Sequence, residues 1–568
     1  MLRSTFALVL VLLFVPSSRA SELKALMVTA EIAGIYHSGG LGHATPGLTQ
    51  ALNEAKVKTD MIMPYYLNMK TPAALKDEGE VIRVGLDLRD GSAQKISEFS
   101  VYSTAKAKGQ VLLLKHNSSR PEFNYFDNRK AEGYTPYGPV VIEGEAFGAW
   151  SKAVAEYILQ SQYDVVILND WHCGLVAVFL EMAREQGRKV PKVITAIHNI
   201  AMQGIFPKDL ARFLGIPESY VKTNGGIEYY NQVSFLKAGL QYSTFSYTVS
   251  NTYALEIATP RSGQAFDGII RELQSEYRMT GVMNGIINSQ WDPAKSYHPD
   301  VKWTFTPEDM MGKAKGKAFI QKEFGLKVDA STPVFVFTSR VSEQKGFEYL
   351  IDALAEVAPS VKAQFILIGD GEPGYIARLK DLQDRHPDKI QYRAFSERSE
   401  KILMAYGDVF VNAPWFEPSG LNQLFAQRNG TLPLVSRVGG LVDSVVEGMS
   451  GFFFDIEWRA DGNGYDKEAT KTSLAQGIRR VAKDFETEPE KIQEMRKFSM
   501  KIDNSWSKRV SAQFMPMFRY ALEDGPALLQ SRSRNFQRNG SAGLSPSDLY
   551  RLASGRSQSR ALTCRAAF

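Results

Sequence analysis

Cysteine and net charge are both scarce in this sequence. Cys173 and Cys564 are the two cysteines among 568 residues, which excludes a disulfide framework or a metal site built from cysteines. Residues 531–568 carry seven arginines and one aspartate, so residues 1–530 have a net charge of −1 within the total of +5. Because residues 1–530 are nearly neutral, they lack the basic surface that nucleic acid requires. We therefore predict no nucleic-acid partner.

Long apolar runs are absent except at the N-terminus. Arg3 precedes ten apolar residues, 6–15, and the small residues Ser18 and Ala20 follow. This order predicts a secretory signal peptide over residues 1–20, cleaved after Ala20. The run is too short to span a membrane, so we predict no transmembrane span in the mature chain. A secreted or periplasmic protein follows from cleavage. An uncleaved anchor, or a misassigned start that leaves the protein cytoplasmic, are the alternatives.

Short apolar segments alternate with helical segments along most of the chain. Segments such as 165–168 and 334–338 are continuously apolar, which is typical of strands buried on both faces of a parallel sheet. With 44% hydrophobic residues, the chain can bury the cores of two or three domains. We therefore predict an α/β protein with two doubly wound Rossmann-like domains that face a central cleft.

The predicted domain boundaries follow from this alternation of strands and helices, which is interrupted near Asn284. We predict a signal peptide (1–20), an N-terminal Rossmann-like domain (21–283), a C-terminal Rossmann-like domain (284–505), a terminal helix that crosses back to the N-terminal domain (506–524) and a basic tail (525–568). The tail is rich in Arg, Ser and Gly, which predicts disorder. Binding to an acidic partner or to a membrane surface is the alternative for the tail.

Five polar residues lie at or shortly after the ends of predicted strands. Asp170 and His198 do so in the first half of the chain, and Arg340, Lys345 and Glu417 do so in the second. Ligands of parallel sheets bind beyond the carboxyl ends of the strands, so this placement predicts a site in the cleft. The alternative is structural: a lone histidine is often a buried hydrogen-bonding group, and an aspartate before a helix is often a cap.

Cations and glycine pairs near these strand ends suit a phosphorylated ligand. Arg340 and Lys345 can face one anion, and the glycine pairs 39–40 and 439–440 each begin a predicted helix whose amides can approach a phosphate. The segment 415–424, WFEPSGLNQL, adds a carboxylate suited to sugar hydroxyls. Solvated surface cations and ordinary turn glycines are the alternatives. Because these groups account for an anion, we predict neither a metal site nor a cofactor.

Taken in order, these segments resemble the bacterial-type glycogen and starch synthases, which are retaining glycosyltransferases with two Rossmann-like domains in the GT-B arrangement. The resemblance covers about residues 23–520. It is carried by SGGLG at 38–42, DWH at 170–172, IHN at 197–199, QGIFP at 203–207, SFLKAG at 234–239, TVS at 248–250, YA at 253–254, NGI at 284–286, SR at 339–340, QKG at 344–346, EP at 417–418 and GL at 420–421.

The resemblance implies transfer of glucose from a nucleotide sugar, usually ADP-glucose, to the non-reducing end of an α-1,4-glucan. Arg340 and Lys345 would stabilise the departing diphosphate, and Glu417 would hold the glucosyl hydroxyls. His198 would contact the sugar, and Asp170 would line the acceptor side. The nucleotide sugar is then a co-substrate. The donor-binding residues predicted in full are His37, Gly39, Gly40, Arg340, Lys345, Gly420, Leu421, Gly439, Gly440 and Leu441.

The sequence departs from the family pattern in the first loop and around the donor residues. His37 stands where the family usually has Lys, so a permanent cation becomes a group that is mostly neutral at pH 7. The other departures are His43 and Ile287 for Asp, Ser419 for Cys, Phe425 for Tyr and Val438 for Thr. Two alternatives follow. One is an exported relative that binds glucan with weak or no catalysis, and the other is a glycosyltransferase that uses a different donor.

Overall fold

The computed structural model describes residues 23–523, except residues 38, 88–94, 118–125, 127–139, 224, 297 and 463. The predicted signal peptide and basic tail lie outside the described residues, as does Cys564. Within them, two large sheets follow one another along the chain, each covered by helices.

The first sheet contains nine strands in the order β12-β11-β7-β6-β1-β2-β5-β4-β3. Its strands are β1 (Lys24–Val28), β2 (Lys58–Pro64), β3 (Lys76–Leu86), β4 (Lys95–Lys106), β5 (Gly109–His116), β6 (Val165–Asn169), β7 (Lys192–Ile197), β11 (Phe245–Thr248) and β12 (Met279–Gly281). A small antiparallel sheet, β8 (Ile205–Pro207), β9 (Glu228–Tyr229) and β10 (Gln232–Ser234), lies between β7 and β11 in sequence.

The second sheet contains six parallel strands in the order β15-β14-β13-β16-β17-β18. They are β13 (Val334–Thr338), β14 (Gln364–Ile368), β15 (Ile390–Arg393), β16 (Val409–Asn412), β17 (Leu432–Ser436) and β18 (Phe452–Phe454). Along β13, Phe335 and Phe337 face one apolar core while Val334 and Val336 face another. Burial on both faces explains why these strands are continuously apolar in sequence.

Helices connect the strands of both sheets. In the first half they are Gly40–Glu54, Val140–Gln160, Leu175–Glu185, Asp209–Phe213, Glu218–Val221, Phe235–Tyr242, Asn251–Glu256 and Asp267–Ser275. In the second half they are Met311–Glu323, Phe347–Val357, Pro373–Arg385, Glu397–Tyr406, Asn422–Arg428, Gly439–Ser444, Lys467–Thr487 and Pro489–Lys501. Short 3-10 helices cover Trp171–Cys173, Asn288–Gln290 and Glu343–Lys345.

The last described helices, Trp506–Arg509 and Met515–Leu522, pack against the core of the first sheet. They are joined by a π-helical turn, Val510–Phe514, and contribute Trp506, Phe514 and Phe518 to that core. The backbone at Ser505 forms a bridge to Ile286, at the point where the chain leaves the first domain. The chain thus passes between the two domains twice.

Strand order reverses once within each sheet. In the first sheet, β1 lies between β2 and β6, so the chain adds β2 on one side of β1 and β6 on the other side. In the second sheet, β13 lies between β14 and β16 in the same way. Such a reversal opens a crevice at the carboxyl ends of the two central strands, where α/β proteins bind ligands. The fold therefore provides two crevices, one in each domain.

The antiparallel parts of the fold were not predicted from the sequence. Strands β3 and β4 pair antiparallel with each other, and β4 pairs antiparallel with β5 at the edge of the first sheet. Buried residues alternate with less buried ones, as in the segment from Val81 to Leu86. That period-two pattern is typical of strands with one solvated face, and it was present in the sequence. Among the described residues, no helix combines the length and apolar character needed to cross a membrane.

A buried charge cluster anchors the second sheet. Asp408, which precedes β16, accepts hydrogen bonds from Lys317 Nζ at 2.8 Å, Arg496 Nη2 at 2.5 Å and the Val334 amide at 2.9 Å. Burial alone would raise the pKa of Asp408, but the Lys317 and Arg496 charges lower it to about 2. Because this pKa is depressed, the stabilisation is complete above about pH 4 and is lost as pH falls toward 2.

We predict that Asp408→Ala lowers the free energy of unfolding at pH 7 by about 3–5 kcal/mol, because it leaves two buried cations without their counter-ion. Urea unfolding measures this loss. Asp381→Ala is the matched control, since Asp381 pairs with Arg385 on an exposed helix surface and should change the midpoint little. Equal midpoints for the two variants would contradict this account of the cluster.

Candidate active site

Glu417 and Lys345 form an ion pair in the crevice of the second sheet. The loops after β13 and β16 bring Lys345 Nζ to 2.6 Å from Glu417 Oε2, although the residues lie 72 positions apart. Glu417 is 8% exposed and Lys345 is half-buried. The Trp415 amide also donates to the Gln344 carbonyl at 3.2 Å, which ties the two loops together. The pair therefore holds the carboxylate in one orientation at the floor of the crevice.

Two backbone amides that are available to a ligand lie beside this ion pair. Gly420, at φ +70°, and Leu421 precede the helix Asn422–Arg428, and no acceptor among the described residues takes their amides. Asn422 Nδ2 donates to the Thr338 carbonyl at 2.8 Å, which fixes this loop to the end of β13. Arg340, which follows the end of β13 by two residues, is exposed. Two available amides and one exposed cation thus lie on the same two loops as the Lys345–Glu417 pair.

The amides of the second glycine pair and of Leu441 form hydrogen bonds within the protein. The Gly439 amide donates to Glu256 Oε1 at 2.9 Å, the Gly440 amide to the Glu417 carbonyl at 3.0 Å, and the Leu441 amide to the Val438 carbonyl at 3.1 Å. Gly439 has φ +43°, and a Cβ there would collide with the Glu417 backbone. The glycines thus allow close packing on the 417–419 loop. Donor contact with these three amides remains a prediction, and it requires the present hydrogen bonds to open.

Asp170 and His198 meet at the crevice of the first sheet. Asp170 is 7% exposed and adopts φ +57°, an unfavourable conformation for a residue with a side chain. Its Oδ1 accepts the His198 amide at 2.7 Å and the Asn199 amide at 3.4 Å. Burial raises the pKa of Asp170 to about 7, although the two amides oppose that shift. The carboxylate therefore serves at least in part to hold the His198 loop.

The His198 ring contacts Asn169, the last residue of β6. Nε2 lies 2.9 Å from Asn169 Oδ1, and the histidine is half-buried. Burial lowers the pKa of His198 to about 4, so the ring is neutral at pH 7. Tyr253 is also close, since its hydroxyl oxygen accepts the Ile200 amide at 3.2 Å. His198 is thus a fixed, uncharged group at the edge of the cleft.

The first loop carries an exposed pair of histidines. The rings of His37 and His43 meet edge to face, with centroids 4.9 Å apart. Gly39 and Gly40 are exposed, and the Gly39 amide donates to the buried Glu31 carboxylate at 3.2 Å. Although His43 keeps surface contact with solvent, the atoms packed around its ring partly desolvate it and lower its pKa. The charges of His37 and of Lys401 in the second domain act in the same direction. The first loop therefore faces the second domain.

Three residues of the first domain form hydrogen bonds with the segments that follow β16 and β17 in the second domain. Ser250 Oγ donates to the Pro418 carbonyl at 2.6 Å. The Thr252 amide and hydroxyl both donate to Asp443, at 2.9 and 2.7 Å. Glu256 accepts the Gly439 amide described above, and burial raises its pKa. These contacts join the two crevices into one cleft. A small cavity beside them is lined by Ile200, Ala201, Tyr253, Ser262, Gln264, Trp415 and Phe416.

Two of the residues that depart from the family pattern have apolar roles. Phe425 stacks on Trp291, with ring centroids 3.9 Å apart and an interplanar angle of 11°. Lys401 Nζ also contacts this stacked pair, since it lies 3.4 Å from the centroid of the Trp291 ring. Val438 is 2% exposed. Neither Phe425 nor Val438 can supply the hydroxyl group that the family usually has at its position.

The structure thus places Lys345 and Glu417 in contact on the loops after β13 and β16, with Arg340, Gly420 and Leu421 on the same two loops. It brings Asp170 and His198 into contact in the other crevice. Asn169 and Glu256 are functional candidates that the sequence did not indicate. Asn169 ends a buried strand directly before Asp170, which was a usable signal, whereas nothing near Glu256 pointed to Gly439 in another domain. Within the part of the chain that is described, no three His, Cys, Asp or Glu side chains are arranged to hold a metal ion.

Two known families match consecutive parts of the chain. Residues 24–272 match the starch synthase catalytic domain, and residues 332–481 match the glycosyl transferases of group 1. The glycogen synthase of Syntrophotalea carbinolica is 30% identical over 512 residues, which cover 88% of this chain and 99% of that protein. The glycogen synthase of Anaeromyxobacter dehalogenans strain 2CP-C is 32% identical over 507 residues, with the same coverage of both chains.

The fold is similar to that of a solved plant enzyme. The catalytic domain of starch synthase IV from Arabidopsis thaliana, bound to ADP and acarbose, aligns with a TM-score of 0.77 and 22% identity. The alignment covers 89% of this chain and all of that one. This likeness confirms the predicted fold class, two doubly wound Rossmann-like domains in the GT-B arrangement.

The raised pKa of Asp170 leads to a prediction about stability. Because the folded-state pKa is about 7 and the ordinary value is 3.8, the contribution of Asp170 to wild-type stability falls as pH rises from about 4 to 7. The Asp170→Asn variant would keep an oxygen for the His198 amide without carrying charge. We therefore expect the difference between the melting temperature of the variant and that of the wild type to increase in favour of the variant from pH 5.5 to pH 8. Asp384→Asn, at an exposed position, is the control. A constant difference across that range would refute the buried charge.

Proposed function

This chain belongs to the glycogen and starch synthase family, and from that premise we propose that it transfers glucose from ADP-glucose to the non-reducing end of an α-1,4-glucan. We further propose that the anomeric configuration is retained. The observation that carries the proposal is the Lys345–Glu417 ion pair, at 2.6 Å, beside the amides of Gly420 and Leu421, which no described residue accepts. A carboxylate, a cation and two available amides converge there on one half-buried crevice.

The diphosphate of the donor requires charge neutralisation as it departs. Arg340 offers an exposed guanidinium, and Lys345 a half-buried ammonium already oriented by Glu417. The amides of Gly420 and Leu421 can donate to phosphate oxygens without reorganisation. Preorganised donors and charges of this kind lower the barrier to departure of an anion. This arrangement supports a role for the second domain as the donor domain.

The glucosyl unit would lie between the two crevices. Glu417 would accept hydrogen bonds from sugar hydroxyls and steady the positive charge that develops at the anomeric carbon. His198 would contact the sugar from the first domain, since it is held rigidly by Asn169 and Asp170. Asp170, next to Trp171 and His172, would border the acceptor side. The interdomain contacts of Ser250, Thr252 and Glu256 would favour a closed cleft from which water is excluded, so that a glucan hydroxyl attacks instead.

ADP-glucose is the proposed donor because the similar Arabidopsis structure is bound to ADP. Acarbose in the same structure supports a glucan acceptor. We propose no cofactor and no metal, with the nucleotide sugar as co-substrate. A donor other than ADP-glucose is the second candidate. It is favoured by the His37–His43 pair in the first loop, which offers imidazole rings to the phosphates where the family usually offers a lysine ammonium.

Location bears on the donor. If residues 1–20 are removed as a signal peptide, the protein is secreted or periplasmic, whereas nucleotide sugars are made in the cytoplasm. An exported protein would then bind glucan with weak or no transfer, or use a donor available outside the cytoplasm. A cytoplasmic protein with a misassigned start would retain the family activity.

The test supplies ADP-glucose, UDP-glucose and glycogen to the chain from Ser21 onward. We expect nucleoside diphosphate release that requires glycogen and that falls at least about 100-fold in Glu417→Ala, the loss of a few kcal/mol of transition-state stabilisation. Glu494→Ala, an exposed glutamate paired with Lys497, is the matched control. Proton NMR of the product should show new α-linkages, as retention from an α-linked donor requires.

Each other outcome has a definite meaning. Glycogen binding without release of either nucleotide would replace the proposed transferase by a glucan-binding protein. Turnover of UDP-glucose alone would replace the proposed donor. Full activity in Glu417→Ala would remove Glu417 from the mechanism.

A further inference from the structure

We propose that Asn169 is a positioning residue that fixes the His198 ring in the tautomer protonated at Nε2, which leaves Nδ1 as a hydrogen-bond acceptor. The tautomer does not depend on the proposed function. Only the identity of the group that Nδ1 contacts, a sugar hydroxyl, rests on that function. The tautomer itself follows from the geometry of three neighbouring groups, the end of β1, the end of β6 and the start of the loop after β7.

The orientation of the Asn169 side-chain amide is set by its surroundings. Asn169 is 1% exposed, and Nδ2 donates to the Val28 carbonyl at 2.8 Å and more weakly to the Ile167 carbonyl at 3.4 Å. The Met27 sulfur lies at 3.0 Å from the same nitrogen. All three neighbours are acceptors, so the amide nitrogen must face them. A flipped amide would place Oδ1 against two carbonyl oxygens in a buried site.

With the nitrogen fixed, the oxygen must face His198. Asn169 Oδ1 lies 2.9 Å from His198 Nε2, and a carbonyl oxygen can only accept. Nε2 therefore carries the proton. In a neutral imidazole the other nitrogen, Nδ1, is then unprotonated. No described residue donates a hydrogen bond to Nδ1. Nδ1 is also absent from the fully buried polar atoms that have no partner, so it keeps contact with solvent. It is left accessible as an acceptor.

Consecutive residues of β6 and its exit loop hold the two parts of His198. Asn169 holds the ring, and Asp170 holds the backbone through the His198 amide at 2.7 Å. The strained φ of +57° at Asp170 turns its carboxylate toward that amide directly after the strand ends. Burial lowers the pKa of His198 to about 4, which agrees with a neutral ring that donates at one nitrogen and accepts at the other.

The consequence is chemical. A neutral His198 with an available Nδ1 can accept a hydrogen bond from a sugar hydroxyl, but it cannot donate a proton to a leaving group from that nitrogen. His198 would thus select for a hydroxyl at the sugar position that it contacts. It would orient the sugar rather than act as a general acid.

The test is ¹⁵N NMR of the full chain labelled at the histidine ring nitrogens, with the His198 signals assigned from a His198→Gln variant. We expect wild-type His198 to be protonated at Nε2 alone from pH 8 to pH 5.5. In Asn169→Ala the acceptor is lost, so we expect both tautomers to be populated and kcat to fall by up to about 100-fold through misorientation of the ring.

Asn53→Ala is the matched control. Asn53 also grips the backbone with its amide, at Thr59, but lies outside the cleft, so His198 should keep its tautomer. A proton on Nδ1 in the wild type, or an unchanged tautomer in Asn169→Ala, would overturn the proposal. If Asn169→Ala does not fold, the wild-type tautomer decides alone. Because the NMR readout needs no donor turnover, its failure is distinguishable from a failure of the proposed transferase activity.

Discussion

The site depends on one constraint, that the central strands of both sheets end at the same cleft. Parallel strands must all point one way, so the loops that follow β1, β6, β13 and β16 can meet only if the two domains face each other by their carboxyl edges. The return of the chain at 506–522 to the first core and the contacts of Ser250, Thr252 and Glu256 maintain that arrangement. Asp170, His198, Lys345 and Glu417 are brought together by it.

Within that frame, charge is arranged differently on the two sides of the cleft. The second-domain side pairs Lys345 with Glu417 and leaves Arg340 exposed, which suits a ligand that brings its own negative charge. The opposite side carries Asp170 and His198. Burial raises the pKa of Asp170 to about 7 and lowers the pKa of His198 to about 4, so each shift favours the uncharged form. Buried groups of low charge on one side of the cleft, and full charges on the other, agree with the proposed division between acceptor and donor domains.

Much of this could be predicted from particular residues. Continuous apolar segments such as 334–338 predicted parallel strands buried on both faces, and the polar residues after them marked the cleft. The antiparallel strands β3 and β4 carry a different signal, an alternation of more and less buried residues, which continuous apolar segments do not reveal. The contacts of Gly439 could not be predicted, because Glu256 lies 183 residues away on a helix whose position depends on the packing of two domains. The Asn169–His198 contact likewise depends on the adjacency of β6 and β7.

Calorimetric titration of ADP into wild type and Arg340→Met tests the central claim most directly, that the diphosphate binds at the ends of β13 and β16. Arg385→Met is the control, since Arg385 lies on an exposed helix of the same domain. The account predicts that ADP binds the wild type and the control alike, and binds Arg340→Met about 10- to 100-fold more weakly, as loss of a charge-assisted contact implies. Equal affinity for all three proteins, or no binding to the wild type, would contradict it.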